Sequence, residues 1–109
     1  MTPLDELLAR DARAMAAEAR VAARRALVEL RDRGVSAKLV GSLARGDFML
    51  HSDIDILVLS CPPGLRYAIE GMVEEAVEGR PFDVVYLDEV RPERRARLLA
   101  EAVDASDLR

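Results

Sequence analysis

The stretch that decides the fold spans residues 41–60 and reads GSLARGDFMLHSDIDILVLS. Its second part, from Asp53 to Ser60, is rich in aliphatic and β-branched residues, which predicts a buried β-strand. Side chains alternate across a strand, so we expect Asp53 and Asp55 on the same face. Two ionised carboxylates this close repel each other, and a fold tolerates the repulsion when a cation lies between them. The pattern therefore predicts a cation site at the start of this strand.

Gly41 and Ser42 follow one apolar run and open a short helix that we predict over residues 42–49. Free backbone N–H groups at such a turn can hold a phosphate. A simpler interpretation is a turn in which Ser42 caps the helix, and both interpretations use the same N–H groups. Arg45 on this helix is a candidate phosphate contact, although exposed helix arginines are commonly just solvated. A cation site next to a phosphate site predicts chemistry on a nucleotide.

The length, net charge and cysteine content of the chain exclude several classes of protein. The 109 residues are enough for one core, and we expect residues 1–109 to form a single domain. The net charge of −4 argues against direct binding to nucleic acid. A single cysteine, Cys61, excludes an internal disulfide and a cysteine-based zinc site. The chain shows neither a membrane-length apolar run nor a signal pattern, so we expect a cytoplasmic protein without a membrane partner.

Apolar periodicity and helix breakers predict alternating helices and strands. The helices are predicted over residues 3–33, 42–49, 65–78 and 92–103, and the strands over residues 35–40, 53–60 and 82–87. Thr2 and Asp5 are expected to form a capping box at the first helix, and the tail from Asp104 is expected to fray. A helix over residues 3–33 would be about 45 Å long. It either folds over the sheet or packs on a partner protein or a second copy.

A third carboxylate, Asp83, begins the third predicted strand, although a turn residue after Pro81 is a simpler interpretation. The Gly41-Ser42 turn meets Asp53 only if the first two strands are antiparallel. Asp83 joins them only if the second and third strands are parallel, connected by a right-handed crossover. These conditions predict an α/β (α+β) fold in which helices pack on a small mixed sheet, in the order α-β-α-β-α-β-α.

The motif Gly41-Ser42-x10-Asp53-x-Asp55 contains Ala44-Arg45-Gly46-Asp47 and precedes the strand-borne Asp83. It resembles the minimal nucleotidyltransferases of the DNA polymerase β-like superfamily, and the resemblance covers nearly the whole chain. The resemblance implies a nucleotidyltransferase fold, ATP as substrate and Mg²⁺ as cofactor, with two ions. By position, Gly41 and Ser42 would bind nucleotide phosphates. Asp53, Asp55 and Asp83 would be the metal-binding and catalytic residues.

Stand-alone chains of this size resemble the antitoxins of HEPN/minimal-nucleotidyltransferase toxin–antitoxin pairs. This implies Mg-dependent transfer of AMP to a hydroxyl, with tyrosine preferred, on a co-encoded helical HEPN-type ribonuclease toxin. Residues 3–33 would then support a homo- or hetero-oligomer. Two alternatives stay open: an antitoxin that acts only by binding the toxin, and the catalytic subunit of a small-molecule (antibiotic-type) nucleotidyltransferase. The complete set of carboxylates favours catalysis, and the absence of an acceptor domain favours a protein acceptor.

Overall fold

The computed structural model describes residues 2–108, and its elements follow the predicted order. They are α1 (Pro3–Asp32), β1 (Ser36–Val40), α2 (Gly41–Arg45), β2 (Ile54–Ser60), α3 (Arg66–Val77), β3 (Phe82–Tyr86) and α4 (Pro92–Glu101). Short 3₁₀ turns at Leu87–Glu89 and Ala105–Asp107 precede and follow α4. Within residues 2–108, no helix combines the length and the apolar character needed to span a membrane.

The three strands form one mixed sheet in the order β1-β2-β3. β1 is antiparallel to β2, and β2 is parallel to β3, which confirms the predicted topology. The register pairs Val40 with Asp55 and Asp55 with Asp83. The last residue of β1 therefore lies at the same end of the sheet as the first residues of β2 and β3. We call this end, defined by Val40, Asp55 and Asp83, the site end.

The hydrophobic core lies on one face of the sheet. Ile54, Ile56 and Val58 of β2 belong to one buried cluster with residues of α1 and α3, including Leu30 and Ile69. The two helices also pack against each other, so they cover this face together. Since side chains alternate along β2, burial of these three residues leaves Asp55 on the opposite face.

The first helix begins at the predicted capping box. The Thr2 hydroxyl accepts a hydrogen bond from the Asp5 N–H at 3.1 Å, and the Asp5 carboxylate accepts one from the Thr2 N–H at 3.2 Å. The fully buried residues of α1 begin only at Ala19. Exposed apolar side chains occupy the part before it, namely Leu4, Leu7, Leu8 and Met15. We call residues 3–15 the free half of α1, because its apolar side chains are left out of the core.

Two local predictions were wrong. The helix predicted over residues 42–49 ends after Arg45, because Gly46 adopts a left-handed conformation (φ +91°) and its N–H donates back to the Ser42 carbonyl. The tail after α4 is held in place instead of frayed. Val103 and Leu39 exchange two backbone hydrogen bonds of 2.8 and 2.9 Å, and Leu108 is 3% exposed. Apolar residues in the tail anchor it to the outer edge of β1 and to the core.

The two halves of α1 should differ in their contribution to stability. Leu30→Ala, at a fully buried position, should lower the free energy of unfolding by about 2–5 kcal/mol, because it leaves a cavity in the core. Leu8→Ala, at a position 46% exposed, should change it by about 0.5 kcal/mol or less. Urea unfolding followed by circular dichroism measures both. Equal losses would show that the free half also packs on the domain.

Candidate active site

Asp55 is the centre of the candidate site. It is half-buried on the middle strand, and its register neighbours are Val40 on one side and Asp83 on the other. In a parallel pair, residues in register project to the same face, so the Asp55 and Asp83 side chains lie on one face of the sheet. Asp53 is exposed and lies just before β2, not within it as predicted. The structure thus places two carboxylates side by side on strands and the third on the adjoining loop.

Burial and the neighbouring charges both change the pKa of Asp55. Burial, which has the largest effect, and the negative charges of Asp83, Asp53 and Glu101 together raise the pKa of Asp55 to about 6, against the opposing effect of Arg45. The Asp55 carboxylate is therefore ionised at neutral pH at a cost in free energy. A bound cation would remove this cost.

Gly41 is required where the turn meets Asp55. Its φ of +79° lies in the left-handed region, and a Cβ at this position would overlap Asp55 Oδ2 and lie 3.0 Å from Asp55 Cγ. Only glycine satisfies both conditions, so the backbone of the turn can contact the carboxylate. The helix itself begins at Gly41 with Val40 at the cap position, so the interpretation of Ser42 as the cap was wrong.

Glu101, the last residue of α4, completes the surroundings and was not found from the sequence. Its Oε1 accepts a hydrogen bond from the Gly41 N–H at 3.1 Å, and its Oε2 lies 3.4 Å from Arg45 Nη1. Arg45 also lies near Asp47, with 3.6 Å between Arg45 Nε and Asp47 Oδ2. No local motif marks Glu101, because it lies 60 residues after Gly41 in the sequence and meets it only in the folded chain.

The donor chemistry of the site fits a hard divalent cation such as Mg²⁺, which prefers carboxylate oxygens. Within residues 2–108, no group of three or more His, Cys, Asp or Glu side chains is arranged so that it could hold a metal ion. Asp55 and Asp83 are paired in register, and the exposed Asp53 would have to turn toward them to complete a three-carboxylate set. The metal-binding and nucleotide-binding roles of the predicted residues therefore stay predictions.

The raised pKa of Asp55 makes stability depend on pH. The folded value of about 6 exceeds the ordinary 3.8, so the folded state binds this proton more tightly than the unfolded state does. Stability due to this group is present near pH 4 and is lost as the pH rises through 6. Asp55→Asn should therefore melt several degrees higher than wild type at pH 7 in EDTA, with a much smaller difference near pH 4.

Scanning calorimetry at both pH values measures this effect. Asp32→Asn, at an exposed position at the end of α1, is the matched control and should change the melting temperature little at either pH. No gain for Asp55→Asn at pH 7 would mean that the Asp55 carboxylate is not under repulsion.

Comparison with known proteins agrees with this geometry. Residues 22–105 match the family model described as "Nucleotidyltransferase domain". No protein in the curated set matches the chain significantly. A solved structure described as "Structure of putative minimal nucleotidyltransferase" is 29% identical, with a TM-score of 0.60, over 72% of this chain and 83% of that one. The chain therefore belongs to the nucleotidyltransferase domain family, as a protein of the minimal nucleotidyltransferase type with the nucleotidyltransferase fold.

Proposed function

We propose that this chain transfers AMP from ATP to a hydroxyl group, preferably of a tyrosine, on a HEPN-type ribonuclease toxin and so acts as its antitoxin. One observation carries the transfer chemistry. In a chain of the nucleotidyltransferase family, Asp55 and Asp83 lie in register on adjacent strands, and the Gly41 backbone packs against Asp55. This arrangement puts acidic groups and the backbone N–H groups of the turn within one small site.

The proposed role of each residue follows from its position in the site. Backbone N–H groups of Gly41 and Ser42, together with the Arg45 guanidinium, would receive phosphate oxygens of ATP. The three aspartates, Asp53, Asp55 and Asp83, would hold Mg²⁺. When bound, two Mg²⁺ ions would neutralise the phosphate charge and orient the reacting groups.

The transfer is an in-line displacement at phosphorus. The acceptor hydroxyl oxygen bonds to the α-phosphorus, the bond from that phosphorus to the α–β bridging oxygen breaks, and pyrophosphate leaves with the electron pair. Asp83 is exposed on the edge strand β3, where an acceptor on another protein can approach it. We assign the hydroxyl proton to the Asp83 carboxylate, acting as general base.

An apolar surface beside the site suits a helical protein partner. It begins on the free half of α1 with Leu4 and Leu8, and Met15 shares a small pocket with Leu50 of the loop between α2 and β2. That loop also exposes Met49 and leads to Asp53 at the site. Contiguous exposed apolar side chains mark protein contacts, and a helix with apolar residues at this spacing docks on another helical surface. A partner held here would lie close to the acidic residues.

The same surface supports a second candidate function, in which the chain silences the toxin by contact alone. The two candidate functions differ in whether they require ATP and the acidic residues of the site. Transfer adds negative phosphate to the toxin, which would repel its RNA substrate, whereas contact needs neither ATP nor an intact acidic site.

The transfer function predicts that Asp53→Asn lowers AMP transfer to the co-encoded helical protein at least about 100-fold, because it removes a carboxylate that would hold the metal. Intact-mass spectrometry of the partner, incubated with ATP and Mg²⁺, measures the added AMP. Asp32→Asn carries the same chemical change at an exposed position and should transfer AMP at the wild-type rate. Toxin neutralisation by Asp53→Asn without any mass shift would establish the contact function instead.

Partner docking predicts a separate loss of binding. The double variant Leu4→Ser, Leu8→Ser should weaken the complex with the partner at least about tenfold, because two apolar anchors are removed. Tyr67→Ser, which changes an 89% exposed residue on α3, is the control and should bind like wild type. Analytical ultracentrifugation measures the affinities. Unchanged binding by the double variant would place the partner elsewhere on the molecule.

A further inference from the structure

The Glu101 carboxylate engages the groups that the proposed function assigns to phosphate. It accepts the hydrogen bond of the Gly41 N–H at 3.1 Å and pairs with Arg45 at 3.4 Å. Its side chain is only 17% exposed, although it is an acidic residue at the end of a surface helix. The two carboxylate oxygens thus contact the same kinds of donor that phosphate oxygens would contact.

The backbone after Glu101 is held by contacts that do not involve the Glu101 side chain. Val103 is bonded to Leu39 by two backbone hydrogen bonds, and Asp104 pairs with Lys38 at 3.4 Å. The α4 helix itself contains no fully buried residue. Rotation of the Glu101 side chain away from Gly41 would therefore leave the strand-edge pairing intact.

The Glu101 carboxylate adds negative charge to a site that is already acidic. Asp55 lies on one side of Gly41, and the negative charge of Glu101 adds to the repulsion that Asp55 experiences from Asp53 and Asp83. Arg45 is the cation that opposes these charges at Asp55. The hydrogen bond to Gly41 and the ion pair with Arg45 hold the carboxylate there against that repulsion.

We propose that Glu101 is an internal competitor for the nucleotide phosphates, which must displace its carboxylate from Gly41 and Arg45 before ATP binds productively. This inference rests on the proposed function, because it concerns the same phosphate contacts. In the absence of nucleotide, Glu101 satisfies the Gly41 N–H and neutralises Arg45. Binding of magnesium-bound ATP exchanges this anion for phosphate, so part of the binding free energy is spent on displacing Glu101.

The first test compares the affinity of the full chain for ATP at saturating Mg²⁺, measured by isothermal titration calorimetry. Glu101→Gln retains the shape of the side chain but loses its charge, so the dissociation constant should fall about fivefold to tenfold. Glu93→Gln makes the same change at an exposed position in the first turn of the same helix and should bind like wild type.

The second test needs only the wild-type chain. Magnesium pyrophosphate is the probe, and amide resonances are followed by ¹⁵N NMR. The Gly41 amide should move strongly on binding, because its acceptor changes, while the Leu39 and Val103 amides should stay near their free positions. This measurement remains informative if Glu101→Gln fails to fold.

The outcomes separate this inference from the function on which it rests. If wild type binds ATP and Glu101→Gln binds equally or more weakly, Glu101 is not a competitor, and the proposed function stands. Tighter binding together with wild-type-like or faster transfer supports the competition. If Glu101→Gln binds like wild type but loses transfer, Glu101 belongs to the catalytic machinery, and the inference is wrong. If neither chain binds ATP, both proposals fail.

Discussion

Parallel pairing of β2 with β3 is the constraint on which the site depends. It sets Asp55 opposite Asp83, so the crossover through α3 determines that two carboxylates lie beside each other on one face. The antiparallel pairing of β1 then brings the Gly41 backbone against Asp55. The period of a strand is two residues, so a slip of β3 by a single residue would turn Asp83 toward the core face and bury a charge there. The core residues that fix the register therefore also fix the chemistry.

The site is best understood as a balance between like charges and their few neutralising partners. Burial and surrounding carboxylates raise the pKa of Asp55 to about 6, and Arg45 is the cation that opposes them. Glu101 adds a further negative charge, but it also accepts the hydrogen bond of the Gly41 N–H and pairs with Arg45. A fold that keeps this arrangement in the absence of ligand sacrifices some stability, as functional sites commonly do.

Local sequence patterns predicted most of the fold, because the apolar periodicity and the breakers agree with the final packing. The capping box at Thr2, the strand containing Asp55 and the mixed topology were all predicted, and only short elements were misplaced. The errors have two causes, one local and one long-range. Gly46 ends α2 through its own backbone conformation, and Val103 and Glu101 are positioned by contacts with distant residues. Contacts between residues far apart in the chain leave no periodic signal, so Glu101 could be found only in three dimensions.

Insertions in the free half of α1 would change both the direction in which its leucines face and their distance from the acidic residues. Each residue added to a helix turns everything before it by about 100° and moves it by about 1.5 Å. An insertion of one residue near Ala16 would therefore turn Leu4 and Leu8 by about 100° relative to the rest of the domain, without disturbing the buried part, which begins at Ala19. An insertion of seven residues, close to two full turns, would restore the facing direction but carry the leucines about 10 Å farther from the acidic residues. Insertions in this segment that preserve the helical phase should therefore impair partner docking far less than insertions that break it.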